Sequence, residues 1–205
     1  MIAHSLLTGV AVVASLSSVV HASSGLPTPT LTKDFHLECD LNPKLSLGSG
    51  PGDTMFNWIS FTGGVWNATW GNGTIEVTPP PLIFPSKHDN TYIPPTPKLG
   101  GHDYQYVLPQ LAAKLDTRYL LKTSDEKPAY IQIKTDGWRT GPPNVLQDLN
   151  DPVKADDVDP SLYKFRLFVG MNTGDVRYNH VNSTMWLASG MRKGAKVIYD
   201  AYVVG

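Results

Sequence analysis

Apolar and polar residues alternate along run after run of this chain. In Phe35-His36-Leu37-Glu38-Cys39-Asp40-Leu41 the odd positions are apolar and the even ones polar, and Ala113 to Thr123 alternates in the same way. A period of two marks a strand with one face toward a core. The runs are short and end in turn chemistry: Gly48-Ser49-Gly50-Pro51-Gly52-Asp53, Gly63-Gly64, Ser124-Asp125-Glu126-Lys127-Pro128 and Gly141-Pro142-Pro143. The pattern predicts strands near 35–41, 55–62, 75–77, 103–107, 113–123, 129–135, 161–170, 179–189 and 195–204, with Asn72-Gly73 as a hairpin turn. Only 144–158 reads as a helix, short and acidic. With so little helix to cover a sheet face, antiparallel strands must close into a barrel or stack as a sandwich.

Of 205 residues, 41% are hydrophobic and 17% charged, which gives one sizeable core and argues against a disordered chain. The net charge of −1 gives no electrostatic reason to expect nucleic acid or an anionic membrane as partner. Cys39 is the only cysteine, so no intramolecular disulfide can form. Its place on an apolar strand face reads as a small buried hydrophobe, with a thiol nucleophile as the alternative.

Residues 1–22 contain no Asp, Glu, Lys or Arg; an apolar run, Leu6 to Ala14, precedes Val20-His21-Ala22. This is the pattern of a cleaved signal peptide, and the run is shorter than the ~20 residues of a spanning helix. A Pro-bearing lead-in, 23–34, is expected to be flexible, and 35–205 to form the barrel domain. The sequons at Asn67, Asn72 and Asn182 fit the same route, as glycosylation sites of a secreted or lumenal protein. Pro79-Pro80-Pro81 and Pro94-Pro95-Thr96-Pro97 make 78–101 a long loop, either a lid or binding element or an inert insertion.

No His-Glu-x-x-His, Gly-x-Ser-x-Gly, P-loop or dinucleotide fingerprint is present. The histidines beyond residue 22 lack metal-ligand spacing, so neither a metal nor a cofactor is expected. The candidate chemistry lies in polar residues on otherwise apolar strands. Asp116 and Arg118 share one face of the 113–123 strand; Arg166 shares a face with Leu162 and Phe168; Trp186 shares one with Asn182 and Thr184. If these faces point inward, Asp116, Arg118 and Arg166 form a paired catalytic network, because interior charges must be paired. If they point outward, they are ordinary cross-strand contacts; alternation alone does not choose. Trp138, Arg139 and Tyr178 fall at strand ends, where a barrel mouth or a rim turn would lie. Together with Trp186 they are the candidate substrate-binding set.

Several short motifs, in this order, resemble the small β-barrel family known as Domain of Unknown Function 3237. They are Ile59-Ser60-Phe61-Thr62-Gly63-Gly64, Leu115-Asp116-Thr117-Arg118-Tyr119, Arg139-Thr140-Gly141-Pro142-Pro143, Asp159 to Arg166, and Thr173-Gly174-Asp175-Val176-Arg177-Tyr178. The resemblance implies an all-β chain forming a closed antiparallel barrel of about eight strands, calycin- or dirigent-like, around a central cavity. The signal pattern, sequons and Pro-rich insertion suggest a secreted fungal branch. Three functions fit such a chamber. The first is a cyclase of specialised metabolism, of pericyclic type, joining an enone or quinone methide to an alkene by a hetero-Diels–Alder reaction. That chemistry needs positioning, a donor on the carbonyl oxygen and exclusion of water. The second is a carrier of an apolar ligand; the third is a lyase or isomerase with Asp116 as base. The expected partner is an apolar or aromatic small molecule, with a homo-oligomer left open.

Overall fold

A computed structural model describes residues 25–77, 101–151 and 153–205. The expected signal peptide (1–22) and nearly all of the Pro-rich insertion (78–101) lie outside the described residues. Among the described residues there are ten strands: β1 Leu31–Leu41, β2 Leu45–Ser49, β3 Met55–Ala68, β4 Gly71–Glu76, β5 Gly101–Val107, β6 Ala113–Thr123, β7 Tyr130–Thr140, β8 Lys164–Asn172, β9 Trp186–Lys193 and β10 Lys196–Val204. All pairings are antiparallel.

The sheet closes because β1 pairs with both β10 and β3. Around the ring run β1, β10, β9, β8, β7 and β6, then β4 and β5 end to end, then β3 and back to β1. The result is a closed barrel of eight staves, two of which are split. Glu76, which ends β4, pairs with Leu120, and Gly101, which begins β5, pairs with Tyr119. The Pro-rich segment therefore interrupts one stave between adjacent positions of its neighbour. The other split stave joins β1 to β2 along β3.

Several expectations are corrected. The second strand does not stop at Gly63-Gly64 but continues to Ala68. Both glycines have positive φ, and a Cβ on Gly64 would meet the Glu38 carbonyl oxygen at 2.3 Å. Glycine is what allows β3 to press against β1 beside the register shift at Asp40/Leu41. The hairpin turn is Thr69-Trp70, and Asn72 pairs across the strands with Asn67. Asn-Gly carries turn propensity, but the indole of Trp70 is drawn into an aromatic cluster and sets the register instead. Leu31–Asp34, expected to be flexible, extends β1 against β10. The strand expected over 179–189 begins only at Trp186, and Val176–Asn182 is 3-10 helix. An α-helix, α1 (Pro143–Asp148), follows β7, and its Leu146 is fully buried.

One end of the barrel is filled by aromatic rings. Phe35 stacks on Trp66 and Trp70, with centroids 5.8 and 6.2 Å apart. Asp34 fastens this end: its carboxylate accepts from Trp70 Nε1 and Trp186 Nε1, each at 3.0 Å, and from Thr69 Oγ1. Burial alone would raise the Asp34 carboxyl, but these three donors outweigh it and hold the group below its ordinary value.

Candidate active site

Above the aromatic plug the barrel holds a cavity of about 50 Å³. Its walls are mainly apolar: Leu37 and Cys39 from β1, Ile59 and Phe61 from β3, Leu115 from β6, Phe165 and Leu167 from β8. Partly exposed Leu41, Val197 and Arg192 border it. The inward face of β6 is Ala113, Leu115, Thr117, Tyr119 and Leu121, the apolar set of its alternation.

Two tyrosines cross the floor. Tyr119 on β6 and Tyr199 on β10 meet hydroxyl to hydroxyl at 2.6 Å. Each hydroxyl owns one proton, so a pair bonded to itself retains one O–H to donate elsewhere. Both line the cavity, and burial raises both phenols. Thr117 and Thr135 pair in the same way at 2.5 Å on the wall.

Asp103 projects inward from β5 and is 7% exposed. Its Oδ1 accepts from the backbone N–H of Asp116 at 3.1 Å. Burial pushes its carboxyl up to about 7, against the lowering effects of that N–H and of Arg139. Arg139 enters the cavity from the end of β7 and is 3% exposed. Its Nη2 donates to Asn150 Oδ1 at 3.4 Å, while its buried Nε has no partner. Burial, then the field of Arg192, draws the guanidinium down to about 10, so it remains cationic at neutral pH. Arg192 Nε donates to the Gly194 carbonyl at 3.0 Å. The thiol of Cys39 is pushed up by burial, which fits its reading as a small hydrophobe.

Of the candidate catalytic and substrate-binding residues proposed from sequence, the cavity gathers one, Arg139. Asp116 and Arg118 stand on the outer face of β6, between inward Leu115, Thr117 and Tyr119. Arg166 is on the outside of β8, donating to Ser189 Oγ at 2.9 Å. The physical reason is plain: with the apolar set turned inward, residues out of phase with it lie on the outer side of the sheet, where Arg118 and Arg166 are exposed and Asp116 is partly buried with one carboxylate oxygen unpaired. Trp138 lies outside β7 against Tyr106 and Lys114. Tyr178 is buried in the aromatic end, donating to Asp125 Oδ2 at 2.7 Å, and Trp186 is held there by Asp34. Asn67 and Asn72 are exposed; the side chain of exposed Asn182 bonds the backbone N–H and carbonyl of Thr173.

Asp103, Gln105, Tyr119, Tyr199 and Arg192 were missed as site residues. A signal existed in Asp103-Tyr104-Gln105-Tyr106-Val107, where Asp and Gln share the phase of an apolar Val. That phase is the inward one, and Tyr104 is 52% exposed on the other face.

Comparison with known proteins places this architecture. The family model described as protein of unknown function (DUF3237) matches residues 95–204, more than half of the chain. A UPF0311 protein of Bradyrhizobium diazoefficiens is 31% identical over 104 residues; the match covers 51% of this chain and 65% of that protein, less than two thirds of its length. The crystal structure of a β-barrel-like protein from Acinetobacter baumannii superposes with a TM-score of 0.66 at 29% identity, covering 89% of this chain and all of that one. A structure described as an enzyme from Penicillium herquei shares the fold, with a TM-score of 0.57 at 14% identity over 90% of this chain and all of that one.

Proposed function

We propose that this chain, which belongs to the DUF3237 family, is an acid–base enzyme that cyclises or isomerises a small, largely apolar molecule inside its barrel. One observation carries the reading: a buried carboxyl, Asp103, poised at about 7 in an apolar cavity. A carboxyl with that midpoint accepts and returns protons with little bias at neutral pH, which is what general acid–base catalysis requires. If Asp103 takes a proton from one substrate atom and returns it to another, substrate and product keep the same composition. Ring closure and isomerisation have that balance and need no co-reactant.

The remaining groups fit this chemistry. The unspent O–H of the Tyr119–Tyr199 pair donates to a carbonyl or phenolic oxygen on which charge builds during proton transfer. The apolar walls exclude water from the intermediate and hold the reacting atoms close. Proton transfer by a positioned group contributes roughly 10²–10⁴-fold to rate. The hetero-Diels–Alder form of cyclisation uses the same walls and donors without a titrating group; the carrier uses them without turnover. The near-neutral carboxyl favours proton transfer over both. That one fold relative is described as an enzyme is consistent with catalysis in such a barrel.

The test is a pH–rate profile of the purified protein on small phenols and enones that can cyclise. The reading expects a limb near pH 7 that Asp103→Asn abolishes, with at least 100-fold loss of rate. A flat profile with full activity in Asp103→Asn would select the pericyclic form. Ligand recovered unchanged would select the carrier.

For location, we infer secretion, with glycans at Asn67, Asn72 and Asn182. The exposed, cross-strand placement of Asn67 beside Asn72 supports this. Loss of mass on enzymatic glycan removal from protein made in a fungal host is the expected result; unchanged mass would contradict it.

A further inference from the structure

We infer that the substrate is an anion whose carboxylate is bound by Arg139, with Arg192 beside it, while its apolar chain points down toward the tyrosine floor. The inference rests on the reading of the cavity as an active site and adds the chemical class of the molecule that enters it. Its basis is an imbalance of donors and charge at one end of the chamber.

Arg139 is 3% exposed, yet its Nε–H has no partner and its single hydrogen bond, to Asn150 Oδ1, is long at 3.4 Å. A guanidinium carries five N–H donors in a planar fork. Burying such a group with most of its donors unspent is costly, so native structures pair it. Arg192, half-buried, lines the same cavity and its field acts on Arg139. Among the described residues, the arginine ion pairs are both made by Arg177, far from this cavity. Asp156, exposed and lying over Gly194, forms no ion pair with either guanidinium.

Asp103 does not restore the balance. Even when ionised it supplies one negative charge to the cavity, facing two cations, Arg139 and Arg192. A positive surplus and an unfilled fork therefore remain inside an apolar chamber. A carboxylate matches both, because its two oxygens accept from two parallel N–H groups of one guanidinium. A neutral amide of the same shape offers one acceptor oxygen and no charge. The cavity limits the size of the group attached to the carboxylate. About 50 Å³ suits a short aliphatic chain, since a water needs ~10–15 Å³ by a comparable measure.

The test compares butyrate with butyramide, titrated into the intact protein and followed by the ¹⁵N–¹H resonance of the Arg139 side chain. We expect butyrate to bind at least tenfold more tightly and to move that resonance. Arg139→Gln is expected to bring the two ligands to within twofold of each other. Arg192→Gln, at a less buried position, is expected to lower the preference severalfold, which keeps the test informative if Arg139→Gln fails to fold. Equal binding of the two ligands to the unaltered protein, or an undiminished preference in both variants, would overturn the inference. Neither result bears on proton transfer by Asp103, because binding is read without turnover. Conversely, Asp103→Asn is expected to keep the preference for butyrate even where the pH–rate profile is lost.

Discussion

Tyr119 and Tyr199 stand on strands that are opposite each other in the ring, four steps apart by either route, and their hydroxyls meet at 2.6 Å in the middle of the barrel. This crossbar divides the interior. Below it lie Phe35, Trp66 and Trp186, packed solid; above it lies the cavity with Asp103 and Arg139. The two phenols are therefore both a structural tie and the floor of the site.

That dual role makes a measurable pattern. Tyr119→Phe or Tyr199→Phe leaves one buried hydroxyl without its partner, at a cost of about 1–3 kcal/mol. The double Phe variant removes both polar groups and should be less destabilised than the sum of the singles. Denaturant unfolding of the three variants measures this, and strict additivity would argue that the hydroxyls do not interact. Turnover should fall in the double variant, which no longer has an O–H to donate.

Asp103 predicts an unusual pH dependence of stability. Its carboxyl is raised in the folded state, from 3.8 to about 7, so the folded protein holds the proton more tightly than the unfolded chain. Stability from this group is fully present below pH 4 and is lost as pH rises toward 7, to the extent of about 4 kcal/mol if the whole shift is realised. Asp103→Asn cannot ionise and still accepts from the Asp116 N–H. Relative to the unaltered protein it should gain stability progressively from pH 4 to 7 and no further above that. Melting temperatures of both proteins across this range check it; parallel curves would refute the burial account of the shift.

The close approach of β3 to β1 depends on Gly64 more than on Gly63. A Cβ at Gly64 would sit 2.3 Å from the Glu38 carbonyl oxygen, whereas a Cβ at Gly63 would meet nothing within 4 Å. Both positions have positive φ, so each Ala substitution carries backbone strain of about 1–3 kcal/mol. Gly64→Ala adds the clash and should separate β1 from β3, opening the barrel. Circular dichroism and thermal melting should show Gly63→Ala folded with a lowered midpoint and Gly64→Ala far less stable or unfolded.

The outward-facing arginines give a negative control. Arg118→Ala and Arg166→Ala remove side chains that face solvent on β6 and β8. Each should change stability by less than about 0.5 kcal/mol and leave turnover unaltered. A large loss of activity in either would mean that the site lies on the outer wall.

The barrel itself was legible in the sequence. Alternation at Phe35–Leu41 and Ala113–Thr123 gave the strands, and the buried Phe35, Leu37 and Cys39 are the predicted face. The scarcity of helix left a barrel or a sandwich, and the family resemblance pointed to the closed barrel. The site was legible only at Arg139. Asp116, Arg118 and Arg166 drew attention because charges stand out on strands, but a period of two says which residues share a face and not where that face points. Asp103 was hidden in a five-residue run that also carries two tyrosines on the other face, and its character comes from burial by distant strands. The Tyr119–Tyr199 contact joins residues 80 positions apart, which no local pattern records. The turn at Thr69-Trp70 was missed for a related reason: ring packing on Phe35 overrode the Asn-Gly preference.

The most direct measurement is a ¹³C NMR titration of the Asp103 side-chain carboxyl in the folded protein. A midpoint near 7 is the expected result, with the transition absent in Asp103→Asn. A midpoint at the ordinary value of 3.8 would mean a solvated carboxylate, and the acid–base reading of the cavity would be wrong.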